Sequence, residues 1–206
     1  MAATDVAICN LALGILKSTK FIEAFRGQGD GTVEGSVFEV YYDDTLDLVL
    51  SRANWPFARK RATLVAANED PPEEWGYSYV LPPDCLKARA VADGMRVRQF
   101  DESMKYAIEN DGTGSGRVIL MDVEPPAVLI YTMRATDVTI YSPEFIKALS
   151  WQLAAAVARP LDKSDATITQ VLELAERFLG IAAAAAYNEE KPDAQPPSDF
   201  YTSRLC

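Results

Sequence analysis

A chain of 206 residues with 49% hydrophobic and 24% charged side chains has the balance of a globular protein that buries a sizeable core without disulfide or metal staples. Its formal net charge of -10 disfavours long-range attraction to nucleic acid. It contains no histidine, which excludes Ser-His-Asp and Cys-His catalysis and removes the commonest general base and metal ligand.

The three cysteines, Cys9, Cys85 and Cys206, fit no zinc spacing and read as free thiols. The N-terminus lacks the basic and apolar regions of a signal peptide, and no apolar run reaches the ~20 residues that span a bilayer. Neither a membrane nor a cofactor is expected.

In chain order, residues 4–17 predict a helix capped by Thr4 and apolar almost all round, hence buried. The glycine-rich stretch 26–32 is a loop. Residues 33–53 predict a second helix whose inner face is Phe38, Tyr41, Thr45, Leu48 and Val49, with Glu39, Asp43, Asp44 and Asp47 on the remainder. It ends before Pro56, because a residue preceding proline disfavours the helical region.

From about 60 to 141 short β-rich runs alternate with turn signals. Strands are expected at 61–66, 77–81, 86–92, 95–100, 105–109, 117–122 and 128–135. Asp93-Gly94 suits a two-residue hairpin turn, and residues 110–116 form a longer hairpin tip. Helix returns at Ser142-Pro143-Glu144, where a capping hydroxyl, a proline at the first position and an acid follow one another. Ile146, Leu149, Leu153, Ala156 and Val157 make its apolar face, and Pro160 ends it. A last helix starts at Ser164-Asp165 and runs to about Asn188, with a stripe of Ile168, Val171, Leu172, Ala175, Phe178, Leu179 and Ala182. Residues 189–206 are rich in proline and acid and close on Phe200, Tyr201 and Leu205, an extended tail whose apolar residues read as anchors.

The expected fold is therefore α+β. Helices from 1–59 and 142–188 form an antiparallel bundle, residues 60–141 are a β-rich insertion projecting from one end, and 189–206 are an extended C-terminal tail.

Motifs for chemistry are weak. Gly112 to Gly116 precede a strand, whereas a phosphate loop opens a helix. Gly27 to Gly31 do precede a helix, but with no lysine and with Asp30 in place of the anion. Asp43, Asp44 and Asp47, and Asp70, Glu73 and Glu74, are paired carboxylates of the kind glycan hydrolysis uses, or charge on a solvated face. Arg59-Lys60-Arg61, with Arg96 and Arg98, suits a partner's carboxylates or phosphates. Trp55, Phe57, Trp75, Tyr77 and Tyr79 read as core at a helix-to-strand junction. No catalytic or metal-ligating set emerges.

Three ordered segments carry a likeness: Cys9 to Gly14 (CNLALG), Trp55 to Arg61 (WPFARKR) followed by Leu64, and Tyr77 to Leu86 (YSYVLPPDCL). Together with Tyr41 to Asp44 (YYDD), they resemble the tail tubular protein A family of short-tailed phages, the adaptor or gatekeeper proteins of the head-to-tail connector. The likeness spans about residues 5 to 92. After Asp43, where the family usually carries a basic residue, stand Asp44, Leu46 and Asp47. The resemblance implies a virion structural protein made in the host cytoplasm and not an enzyme. It implies a ring, commonly of twelve copies, between the portal and the tail nozzle or tail tubular protein below. DNA would pass through the lumen without specific binding. The motif residues Cys9, Asn10, Trp55, Phe57, Tyr79, Pro82, Asp84 and Cys85 are expected in the core, and Phe200, Tyr201 and Leu205 on the portal. A head-completion or assembly factor and a small carboxylate-dependent glycan hydrolase are the alternative readings.

Overall fold

The computed structural model describes residues 4–27, 31–68, 70–93, 96–99, 105–112, 114 and 116–189, with backbone alone at 93 and 96–99. The helices are α1 (Asp5–Ile15), α2 (Val33–Arg52), α3 (Pro143–Ala158) and α4 (Asp165–Asn188). A hydroxyl caps each of them. Thr4, Thr32, Ser142 and Ser164 accept from the backbone N–H groups of Ala7, Gly35, Phe145 and Thr167. Each such cap is worth about 1 kcal/mol, which is why these starts are readable in the sequence.

The strands are β1 (Arg59–Thr63), β2 (Val65–Ala66), β3 (Tyr77–Val80), β4 (Cys85–Asp93), β5 (Arg96–Gln99), β6 (Tyr106–Asn110), β7 (Arg117–Met121) and β8 (Ala127–Met133). They form two four-stranded antiparallel sheets, ordered β1-β8-β4-β5 and β2-β3-β7-β6. The chain changes sheets at Leu64, whose backbone N–H still bonds Ala127 of β8 at 2.8 Å. The pairing of β4 with β5 matches Asp93 to Arg96, so the turn lies one residue later than Asp93-Gly94 suggests. The expected hairpin tip closes between Asn110 and Arg117, with Gly114 in the left-handed region at φ 70°.

These elements do not make the expected bundle with a projecting insertion. The helices pack around α3, which meets α1, α2 and α4, while β4 and β8 of the first sheet pack against α2. Two properties account for this. α3 is buried over most of its circumference, at Phe145, Ala148, Leu149, Ser150, Gln152, Leu153, Ala154, Val157 and Ala158, so it is a hub and not one of four equivalent helices. The β region also has two contacts to satisfy. Its sheets enclose their own core of Tyr79, Val91, Ile119, Met121, Leu129 and Tyr131, while Leu86 and Met133 pack on the helical core. A strand layer with apolar contacts on both sides is held between neighbours, because each buried large apolar side chain is worth roughly 1.5–3 kcal/mol. The expected tail, 189–206, lies beyond the described residues except for Glu189.

Faces shift in detail. α2 buries Phe38, Tyr42, Thr45, Leu46, Val49 and Leu50 and leaves Tyr41 and Leu48 exposed. α1 is not buried all round, since Leu11 is 53% exposed, and Leu172 of α4 is also exposed.

Candidate functional site

The residues that carry the family likeness collect at joints. Asn10, half-buried on α1, clamps the chain that leaves the helix. Its side-chain amide donates to the Ile22 carbonyl at 2.9 Å, and its oxygen accepts from the Ile22 N–H at 2.9 Å. Cys9 beside it is fully buried, and burial pushes its thiol well above the ordinary range. Trp55 sits at the α2 exit, and its indole N–H donates to the Val49 carbonyl at 2.9 Å. That carbonyl is in the last helical turn, where the helix's own hydrogen-bond ladder runs out. Trp55, Phe57, Tyr141 and Phe145 form a ring cluster with centroid separations of 4.8–6.2 Å. Phe57 and Pro82 are half-buried, and Tyr79 is buried in the sandwich with its hydroxyl donating to the Val123 carbonyl. The aromatic residues adjacent in sequence thus divide between two cores: Trp55 and Phe57 in the helical one, Tyr77 and Tyr79 in the sandwich.

Asp84 gathers the second joint. It accepts from Lys60 Nζ at 2.7 Å and from the Tyr131 hydroxyl at 2.9 Å, while its carbonyl accepts from the Arg134 N–H at 2.9 Å. Lys60 of the basic run is thereby committed, Arg61 is exposed, and of Arg96 and Arg98 only the backbone is described. The neighbouring Cys85 is buried, and burial raises its thiol to about 11, so it is a poor nucleophile.

β4 makes the third joint. Its register against β8 steps past Leu86 and past Arg89, two bulges in one strand. The stepped-over residues are the ones that turn to the helices. Leu86 packs on the helical core. Arg89 donates to the carbonyls of Ser51 and Ala53 at 3.1 and 2.6 Å and to the Thr132 hydroxyl at 2.9 Å. A cation at the α2 C-terminus answers both the orphan carbonyls and the negative end of the helix dipole.

The acidic face of α2 is partly engaged. Arg26 pairs with Asp43 at 2.7 Å and Asp5 at 3.3 Å and lies over the rings of Phe25 and Tyr42. Arg134 pairs with Asp47 at 2.8 Å and reaches Asp43 at 3.8 Å. Asp43 is thus exposed between two guanidiniums, the opposite of the dry pocket that prepares a carboxyl as general acid. Asp70, Glu73 and Glu74 are exposed on a loop. Sequence reasoning missed Arg26, Arg89 and Arg134, because isolated arginines far apart in sequence carry no motif.

A cleft of about 340 Å³ lies over the outer face of the second sheet. Val80, Val118 and Leu120 line it together with Asn68, Asp70 and Glu109, and Arg117 at its edge donates to the Cys85 carbonyl at 2.7 Å. Among the described residues no group of three Cys, Asp or Glu side chains comes together to hold a metal ion, and no helix is long and apolar enough to cross a membrane. Asp30 of the Gly27 to Gly31 loop, Cys206, and the anchor residues Phe200, Tyr201 and Leu205 lie outside the described residues.

Compared with known proteins, the sequence matches no family model and shows no significant similarity to a curated protein.

Proposed function

We propose that this chain is a virion structural protein, an adaptor that forms a ring between the portal and the tail in the head-to-tail connector of a tailed phage. Its partners are then the portal protein, the tail nozzle or tail tubular protein below, and further copies of itself, twelve in the commonest arrangement. DNA passes through the lumen without specific binding, and the net charge of -10 favours a lumen that does not retain it. No catalytic step is assigned.

The observation that carries this reading is the role of the ordered motif residues. Asn10, Trp55 and Asp84 each bind a backbone or side-chain partner across a joint of the fold, so the likeness falls on residues that set the architecture and not on scattered surface positions. Phe200, Tyr201 and Leu205 are proposed to anchor the subunit on the portal.

Quantitative mass spectrometry of purified virions of the source phage tests both statements. One copy of this chain per portal subunit is expected. Its absence from virions would discard the adaptor in favour of an assembly factor or an enzyme. Virions assembled with the chain cut after Glu189 should lack it, and normal incorporation would remove the anchor role from the three tail residues.

A further inference from the structure

Two exposed patches on different helices of this chain complement one another. The first is a stripe on the outer side of α2. Val33, Val40, Tyr41 and Leu48 are exposed, at 67%, 67%, 37% and 47%. At 100° per residue they fall within an arc of about 100°. Asp44 lies inside that arc, is exposed, and makes no ion pair among the described residues. Arg26 and Arg134 pair directly with Asp43 and Asp47, and Asp44 feels Arg134 only at longer range.

The second patch lies along the seam of α3 and α4. Trp151 of α3 stacks on Phe178 of α4 with centroids 5.0 Å apart, and Lys147 lies over the Phe178 ring at 4.4 Å. Ile181, 54% exposed, and the half-buried Leu174 continue the apolar surface along α4. Arg177 stands on the same arc, is exposed, and makes no ion pair among the described residues. One patch is thus apolar with an unpaired acid and the other apolar and aromatic with an unpaired base. Apolar patches of this kind mark interaction sites, and opposite charges within them fix partner and register.

We propose that the α2 stripe of one copy docks on the α3–α4 seam of the next, with Asp44 facing Arg177. Because the two surfaces differ, the contact is heterologous. A docked pair keeps one free surface of each kind, so association continues from copy to copy and ends where the rotation closes a ring. The inference goes beyond the virion reading in naming the surfaces, and it is tested apart from it.

Two variants of the full chain distinguish a heterologous contact from any other. Val40→Asp spoils the stripe and Ile181→Asp spoils the seam. Both positions are more than half exposed, so both variants should keep the wild-type circular dichroism. Sedimentation equilibrium is expected to show wild-type protein associating with rising concentration. Each variant alone should associate at least roughly tenfold more weakly, as loss of a central contact does. Mixed together, the two should form one-to-one heterodimers and nothing larger, since each supplies the surface the other lacks. Wild-type protein that stays monomeric at about 1 mM, the weak limit of specific contacts, overturns the proposal. So does a mixture that yields no heterodimer, or variants that associate as wild type does. Any of these outcomes leaves the virion stoichiometry standing as a separate result, and absence from virions leaves the contact standing.

Discussion

Asp84 takes its two side-chain donors from different strands, Lys60 from β1 and Tyr131 from β8, and so ties the edge of the first sheet to the loop that begins β4. Burial acts most strongly on its carboxyl and pushes upward. The hydrogen bonds from Lys60 and Tyr131 and the Lys60 charge together outweigh it and hold the group below the ordinary aspartate value of 3.8. A carboxyl with a lower pKa folded than unfolded stabilises the fold above its unfolded value, and the gain is lost as pH falls through the folded value. Asp84→Asn is therefore expected to melt below wild type at pH 7, with the gap closing as pH falls below the ordinary aspartate value of 3.8. Thermal melts across that range check it, and a difference that does not change with pH would remove the charge from the account. At this scale the sequence was legible where a residue type has one good use. The hydroxyl caps and the indole of Trp55 belong to that class. Arg26 and Arg134 were not legible, because their carboxylate partners are distant in sequence and surface arginines look alike until the chain is folded.

Among the elements, α2 shows how a helix end is stabilised from outside. Its last turn offers carbonyls that Trp55 and Arg89 accept responsibility for, one from the following loop and one from a strand of the first sheet. Arg89→Met keeps most of the side-chain bulk and removes three hydrogen bonds, so a loss of about 2–3 kcal/mol is expected in urea unfolding. Hydrogen exchange should quicken selectively over the last turn of α2, and uniform quickening would show that Arg89 is not its cap. Strands and helices were largely readable as elements, since turn residues and caps punctuate them. Their faces were less so. On α2 the exposed stripe carries Val33, Val40, Tyr41 and Leu48 opposite the buried apolar face, so periodicity alone does not choose between them. That ambiguity is the same property that makes the stripe a candidate contact surface.

For the whole molecule, the order of elements was readable and their arrangement was not. Four amphipathic helices around a β-rich middle suggest a bundle with an appendage. Nothing in a linear pattern says that α3 is buried on most sides or that one sheet is packed between the helices and the other sheet. The information lies in β4. Its inward residues Cys85, Ala88 and Val91 recur every third position, a spacing that looks helical in the sequence and arises from the steps past Leu86 and Arg89. The consequence is that each extra residue can be removed without turning its successors over. Deleting Arg89 alone leaves Ala88, Ala90 and Val91 in plain alternation against Tyr131, Ile130 and Leu129, so the sandwich should stay folded and lose only the Arg89 bonds to the end of α2. Deleting Leu86 and Arg89 together should make β4 regular throughout and leave a folded sandwich with its near-ultraviolet dichroism, without the two side chains that turn to the helices.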